Sequence, residues 1–299
     1  MLLLTIVYNK ERDHIMQGIR EIKEYFKHKD ILIGIYESIE CNTHFLKIFC
    51  DREINNKLNN IFDIHAANII YNIIIDEFCK KDMAAFLSDA YFFLRYEELE
   101  GIKKESLKVL RGEMEIKDED SIYYINKKND IIDKICRCIN ENREINIEGF
   151  ITFRMKELLE DLETIIDRVV EKYMAEKEYN EFIKLLKYFV EIQESKMNYL
   201  NIIVSNDGKY IINNEREEDI TDSFFKDLTE LKYNDNTDLD DILISALITN
   251  SPENIVIHCA HNCKNKELID TIKNVFTHRV KFCDDCKTCR LIKNNLNRV

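Results

Sequence analysis

The sequence predicts an α+β fold that is predominantly α-helical, and three observations carry that expectation. One Pro, six Gly and no Trp in 299 residues leave little of the turn material that a β-sandwich or barrel consumes. Apolar residues recur at steps of three and four over long stretches, notably 61–78 and 155–173, which is the period of helices with one buried face. Short apolar and β-branched runs gather near the two ends of the chain. At 45% hydrophobic the chain is able to bury a sizeable core.

In order along the chain, residues 2–7 form an apolar run, Ile15, Ile19, Ile22 and Phe26 share one helix face, and 31–35 and 45–49 are two further apolar runs, giving a small N-terminal β-α-β-β unit. Helical periodicity then takes over through Ile61, Ile64, Ala67, Ile70, Ile74 and Phe78, followed by Phe86, Ala90, Phe93 and Leu94. Residues 111–121 are charged and lack an apolar period, so they read as a connection, with a further helix over 129–139. The polar run 140–146 marks the expected division: an N-terminal α/β and helical domain at 1–146 and a C-terminal domain at 147–299 with long helices and a cysteine-containing tail.

The segment opened by Gly149 is the most regular. Met155, Leu159, Leu162, Ile166, Val169 and Tyr173 make one continuous stripe, and Leu158, Ile165 and Val170 widen it beyond a two-stranded coiled-coil seam, so the helix is expected to bed into a globular core. Thr152 is the expected cap of this helix and Phe153 its hydrophobic staple. A second helix follows through Phe182, Leu185, Leu186 and Phe189. After Gln193 the pattern becomes extended: 199–204 and 210–212 flank Asn206, Asp207 and Gly208, a hairpin signal because Gly adopts positive φ without steric cost. Helices near 220–231 and 239–248, a strand at 254–257, a helix at 268–276 and a short strand at 280–282 complete a C-terminal α/β unit with short parallel strands.

A net charge of −13 argues against wholesale binding to nucleic acid or to an anionic membrane, since both reward a basic surface. Charge is nonetheless segregated: acids crowd 213–241, and Lys and Arg outnumber acids over 260–299. Nucleic acid is therefore expected to be contacted, if at all, through the basic C-terminal tail; the two blocks also read simply as surfaces that attract each other. The apolar opening run is too short for a signal sequence or a span, and the 64–78 run is interrupted by His65, Asn68, Asn72, Asp76 and Glu77. A cytoplasmic protein with reduced thiols and no membrane contact is expected.

The sharpest chemical feature is Cys283, Cys286 and Cys289, three thiols at successive spacings of three, with His258, Cys259, His261 and Cys263 a short way upstream. Thiolates at that spacing clasp one soft metal ion when a tight turn brings both sulfurs within bonding distance, and a further Cys or His completes four-coordination. The candidate ligands are Cys283, Cys286, Cys289, Cys259 and Cys263, with zinc as the candidate ion. If the strands that precede the two groups are adjacent and parallel, both groups arrive at one sheet edge. The competing reading is a set of reduced surface thiols; an iron–sulfur reading lacks the cysteine that a ferredoxin run requires where Lys293 stands. Cys41, Cys50 and Cys79 read as small core residues. No triad, no Gly-rich phosphate loop and no complete catalytic signature is present, so no catalytic or cofactor-binding residue is assigned and the question of enzymatic activity stays open.

The blocks Glu148-Gly-Phe-Ile-Thr-Phe-Arg-Met-Lys-Glu157, Ile166-Asp-Arg-Val-Val-Glu-Lys-Tyr173 and Glu178-Tyr-Asn-Glu-Phe-Ile-Lys-Leu-Leu-Lys-Tyr-Phe-Val190 resemble the YtxC-like family of sporulation-associated proteins. So do Asp241-Ile-Leu-Ile-Ser-Ala-Leu-Ile248, Thr271-Ile-Lys-Asn-Val-Phe276 and the terminal cysteine motif, a likeness that covers about 145–290. The resemblance implies a cytoplasmic sporulation protein with no assigned catalytic residue. The leading expectation is thus a non-enzymatic interaction protein whose partner binds an exposed remainder of the apolar stripe, the partner and the oligomeric state being unspecified by the sequence. The alternative is a metal-binding or nucleic-acid-binding module built on the cysteine cluster and basic tail. A hydrolase-type enzyme is third and calls for a polar cleft with converging His and carboxylates.

Overall fold

The computed structural model describes residues 1–10, 12–229 and 239–295. It is helix-dominated with two small sheets, and its internal contacts form two compact units, Met1–Met174 and Ala175–Val299.

The first unit opens with β1 (Leu2–Tyr8), α1 (Asp13–Lys27), β2 (Ile33–Glu40) and β3 (Thr43–Cys50). The face of α1 read from the sequence is buried at all four positions, Ile15, Ile19, Ile22 and Phe26. Helices α2 (Asn56–Lys81), α3 (Met83–Ala90), α4 (Tyr96–Arg111) and α5 (Glu119–Asn142) follow, then β4 (Glu144–Asn146) and α6 (Ile147–Phe153). The sheet order is β2-β3-β1-β4, with β1 antiparallel to β3 and parallel to β4. Burial of Phe62, Ala66, Ile69, Tyr71, Ile73 and Phe78 makes α2 apolar on nearly every side, as expected of a central helix. Tyr71 satisfies its buried hydroxyl by donating to the Leu110 carbonyl at 2.7 Å. Gly112, at φ 74°, ends α4 in the left-handed conformation that relieves its last carbonyls.

Helix α7 (Met155–Ile192) is one continuous helix of 38 residues, where the sequence reading expected two. Met155, Leu158, Leu162, Ile165, Ile166, Val169 and Val170 fill the first unit's core, and Ile183, Leu186 and Val190 belong to the core of the second. The 146/147 division drawn from the sequence follows a polar run; within it Glu144–Asn146 pair with β1, a strand too short to show a period of two. Two local expectations are corrected. Asn146 caps α6 by accepting from the Gly149 N–H, while Thr152 donates to the Glu148 carbonyl inside that helix and Phe153 is exposed, so neither residue caps or staples α7. Cys41 lies exposed at positive φ in the β2–β3 turn and is not a core residue.

In the second unit β5 (Tyr199–Val204) and β6 (Tyr210–Asn213) form the expected hairpin, with Gly208 at φ 84° in its loop. Then come α8 (Thr221–Thr229), α9 (Leu239–Asn250), β7 (Asn254–His258), α10 (Lys266–Phe276), β8 (Val280–Cys283) and α11 (Lys287–Asn295). The sheet order is β6-β5-β7-β8, with β5, β7 and β8 mutually parallel. Leu200, Ile202, Ile255 and Ile257 pack with Leu243 and Leu247 of α9 and Leu268, Ile272 and Phe276 of α10. Parallel strands joined by helices gather their carboxyl ends at one edge, the usual place for a site in such sheets. Among the described residues no helix is long and apolar enough to cross a membrane.

Close approach of α1 to α2 depends on Gly18, where an added Cβ would stand 2.2 Å from Ile69 Cγ1. Gly18→Ala is expected to destabilise the protein by about 1–3 kcal/mol through overpacking, with Ile69→Ala in the same chain recovering part of the loss. Urea denaturation of the three variants checks this; a Gly18→Ala protein as stable as the wild type would contradict the packing described.

Candidate metal centre

The centre grows out of one strand register. Parallel pairing sets His258, the last residue of β7, opposite Cys283, the last of β8, and the Cys259 N–H donates to the Cys283 carbonyl at 3.1 Å. Because side chains alternate along a strand, Asn201, Val256, His258 and Cys283 share one face of the sheet, and Leu200, Ile202, Ile255 and Ile257 take the other. The chain leaves β8 through Asp284 and Asp285 and enters α11, so Cys286 stands just before the helix and Cys289 in its first turn. The Cys286 sulfur accepts the Cys289 N–H at 3.4 Å, much as an N-cap side chain would.

The imidazole Nδ1 of His258 and the sulfurs of Cys283, Cys286 and Cys289 consequently converge, all within 4.8 Å of one another. Cys286 Sγ is 3.3 Å and Cys289 Sγ 3.5 Å from His258 Nδ1; Cys286 and Cys289 are 3.5 Å apart, and Cys289 and Cys283 4.0 Å. A tetrahedral ion with metal–sulfur bonds of about 2.3 Å and a metal–nitrogen bond of about 2.0 Å separates its donors by roughly 3.5–3.8 Å. These four residues can therefore hold one metal ion. A shell of four protein donors is closed, the form of a structural site.

Hydrogen bonds outside the shell orient the histidine. Asn201 Nδ2 donates to the Asn214 carbonyl at 3.3 Å, which turns its Oδ1 toward His258 Nε2 at 3.1 Å. The proton then resides on Nε2 and the Nδ1 lone pair faces the sulfurs, the orientation an imidazole needs in order to bind a metal through Nδ1. Burial, opposed by Glu217, pushes the His258 pKa down and favours the neutral ring. Burial and thiol hydrogen bonds to Cys286 and Cys259 push Cys289 up to about 12. Burial also raises Cys286, but hydrogen bonds from the Cys289 N–H, from the Cys289 and Cys283 thiols and from the Thr288 N–H outweigh it and leave this thiol lowered. The sulfurs thus share protons that a soft divalent cation displaces on binding.

Of the five residues named from the sequence, Cys283, Cys286 and Cys289 meet in this group. Cys259 and Cys263 do not join it. Cys259 is fully buried with φ 53°, and its thiol is hydrogen-bonded to Cys289 from outside the four-donor set. The Cys263 thiol donates to the Asn265 carbonyl at 3.2 Å and lies 3.5 Å from the Tyr210 hydroxyl, in a network that includes Asp240. His258 was noted upstream of the cysteines but not named as a ligand. The signal for it was its place at the end of a strand parallel to the one that delivers Cys283.

A second constellation lies in the first unit, a polar cleft of about 780 Å³ lined by residues of α1, α2 and the end of α4. His14 Nε2 is 2.9 Å from Asp76, which also takes Arg111 at 3.4 Å, and Arg12 donates to Glu77 at 2.9 Å. This is the converging His and carboxylate arrangement that a hydrolase reading calls for, and among the described residues its lining offers carboxylates, an imidazole and amines but no hydroxyl or thiol.

Two small sheets among long helices, with one Cys₃His cluster that could hold a metal ion, describe a helical α+β protein with a candidate metal site. The YtxC-like family model matches residues 64–281, and the chain belongs to that family. It is 24% identical over 212 residues to the uncharacterized protein YtxC of Bacillus subtilis (strain 168), which covers 68% of this chain and 71% of that protein. The family match includes His258 and ends before Cys283. No solved structure matches the chain.

Two outcomes follow from this geometry. Asn201→Leu should release the His258 tautomer, so that long-range ¹H–¹⁵N spectra show Nε2-H in the wild type and a tautomer mixture in the variant; identical spectra would remove the orienting role. In the cleft, Lys81, against the opposing effect of burial, and then Arg12 hold the Glu77 carboxyl below its ordinary value. A depressed carboxylate contributes stability above its unfolded pKa and loses it as pH falls through the folded value. Glu77→Gln is accordingly expected to cost about 1–2 kcal/mol at neutral pH and little once the pH is below the folded value, as read from denaturation midpoints across pH.

Proposed function

We propose that this chain is a non-enzymatic interaction protein of the sporulating cell's cytoplasm whose C-terminal unit is organised by one zinc ion on His258 and the thiolates of Cys283, Cys286 and Cys289. The observation that carries this reading is the convergence of the four donor atoms within 4.8 Å, with the Nδ1 lone pair turned toward the sulfurs. Three thiols and an imidazole within 4.8 Å of one another suit zinc, whereas common iron–sulfur clusters draw on four cysteines.

The role of the ion is mechanical. It ties the ends of β7 and β8 to α11, a helix of nine residues that is too short to be stable alone. That helix bears Lys287 and Arg290, so the metal also fixes the start of the basic tail. Ten free thiols accord with a reducing compartment. The place in sporulation rests on the family resemblance.

Protein purified without chelator is expected to carry one zinc per chain, and the Cys286→Ser/Cys289→Ser variant none. Chelation should lower the melting temperature of the wild type and leave that of the variant unchanged. Wild-type protein free of both zinc and iron would overturn the reading.

A further inference from the structure

The second half of α7 carries two apolar stripes on adjacent faces. Ile183, Leu186 and Val190 are buried in the core of the C-terminal unit. Beside them Phe182, Leu185, Phe189 and Ile192 stand 50, 51, 41 and 58% exposed, with Tyr188 at 57%. Aromatic side chains of about 200 Å² each make this roughly 500 Å² of open apolar surface, near the upper end of what a monomer exposes in one patch.

From these observations we propose that this face of α7 is a homodimer interface, covered by the same face of a second copy of the chain. The four residues step by three, four and three, the spacing of a helix–helix seam. That spacing reads the same in both directions. An antiparallel copy related by a two-fold axis therefore sets Leu185 against Phe189 and Phe182 against Ile192, each pair occurring twice, and an isologous contact demands such self-complementarity. Two copies of the patch bury about 1,000 Å², which reaches the size at which specific interfaces begin. A second copy brings the matching stripe with no requirement for another protein. The inference shares with the proposed function only the idea of action by association and does not depend on the metal.

The test is the mass of the full chain in solution, as purified without chelator, by light scattering on a sizing column over a range of concentrations. The expected result is twice the chain mass of 35.7 kDa. Leu185→Glu/Phe189→Glu should return the single-chain mass with zinc content and helicity unchanged, and Phe182→Ala should weaken the dimer by about tenfold or more. Phe153→Glu, at an exposed site in the first unit, should leave the dimer intact and serves as the control. A single-chain mass at high micromolar concentration would overturn the proposal, as would a dimer that survives the double glutamate variant. Because zinc content is read separately, loss of the dimer and loss of the metal are distinguishable.

Discussion

The alignment of β7 against β8 is the constraint on which the C-terminal unit turns. Ile255 and Ile257 are buried on the core face of the sheet, so the hydrophobic effect holds β7 in a register that leaves His258 on the opposite face. Slipping either strand by one residue would carry His258 or Cys283 to the wrong side. The chemistry of the centre is thus set by residues with no chemistry of their own. Once the two strand ends are fixed, the turn through Asp284 and Asp285 has little choice but to return Cys286 and Cys289 to the same edge.

The site couples folding to electrostatics. Cys289 and His258 sit where water does not solvate charge well, and burial raises the one pKa and lowers the other, so each favours its neutral form. A divalent cation reverses that preference for the thiols, because the charge they acquire is neutralised at once. Asn201 spends its amide on holding the imidazole in one tautomer, a task with no evident purpose in a core residue. The first unit is held differently, by a buried α2 and by ion pairs such as Arg12 with Glu77 on the wall of its cleft.

Much of the fold was legible because its signals are local and redundant. The 3-4 spacing of Ile15, Ile19, Ile22 and Phe26, the Asp-Gly hairpin and the extended run before His258 each declare their element from a few residues. What escaped needed either partners distant in sequence or a choice between competing local signals. β4 exists because Thr5, Ile6 and Val7 offer a strand edge more than a hundred residues earlier. Thr152 looked like a cap, but Asn146 begins a separate helix before it. At the candidate site the three C-terminal cysteines were visible as a motif, whereas the choice of His258 over Cys259 was not. Neighbouring strand residues face opposite ways, and the left-handed turn at Cys259 takes its thiol out of the four-donor set. Composition alone does not encode that parity; it follows from the β7–β8 pairing.

X-ray absorption at the zinc edge of the purified chain probes the central claim most directly, because it counts the donors and identifies them. The account predicts three sulfurs at about 2.3 Å and one nitrogen at about 2.0 Å around a single ion, with the nitrogen contribution lost in His258→Ala. A shell of four sulfurs would contradict it by bringing in Cys259, and a spectrum of oxygen donors alone would show that the convergence of these side chains holds no ion.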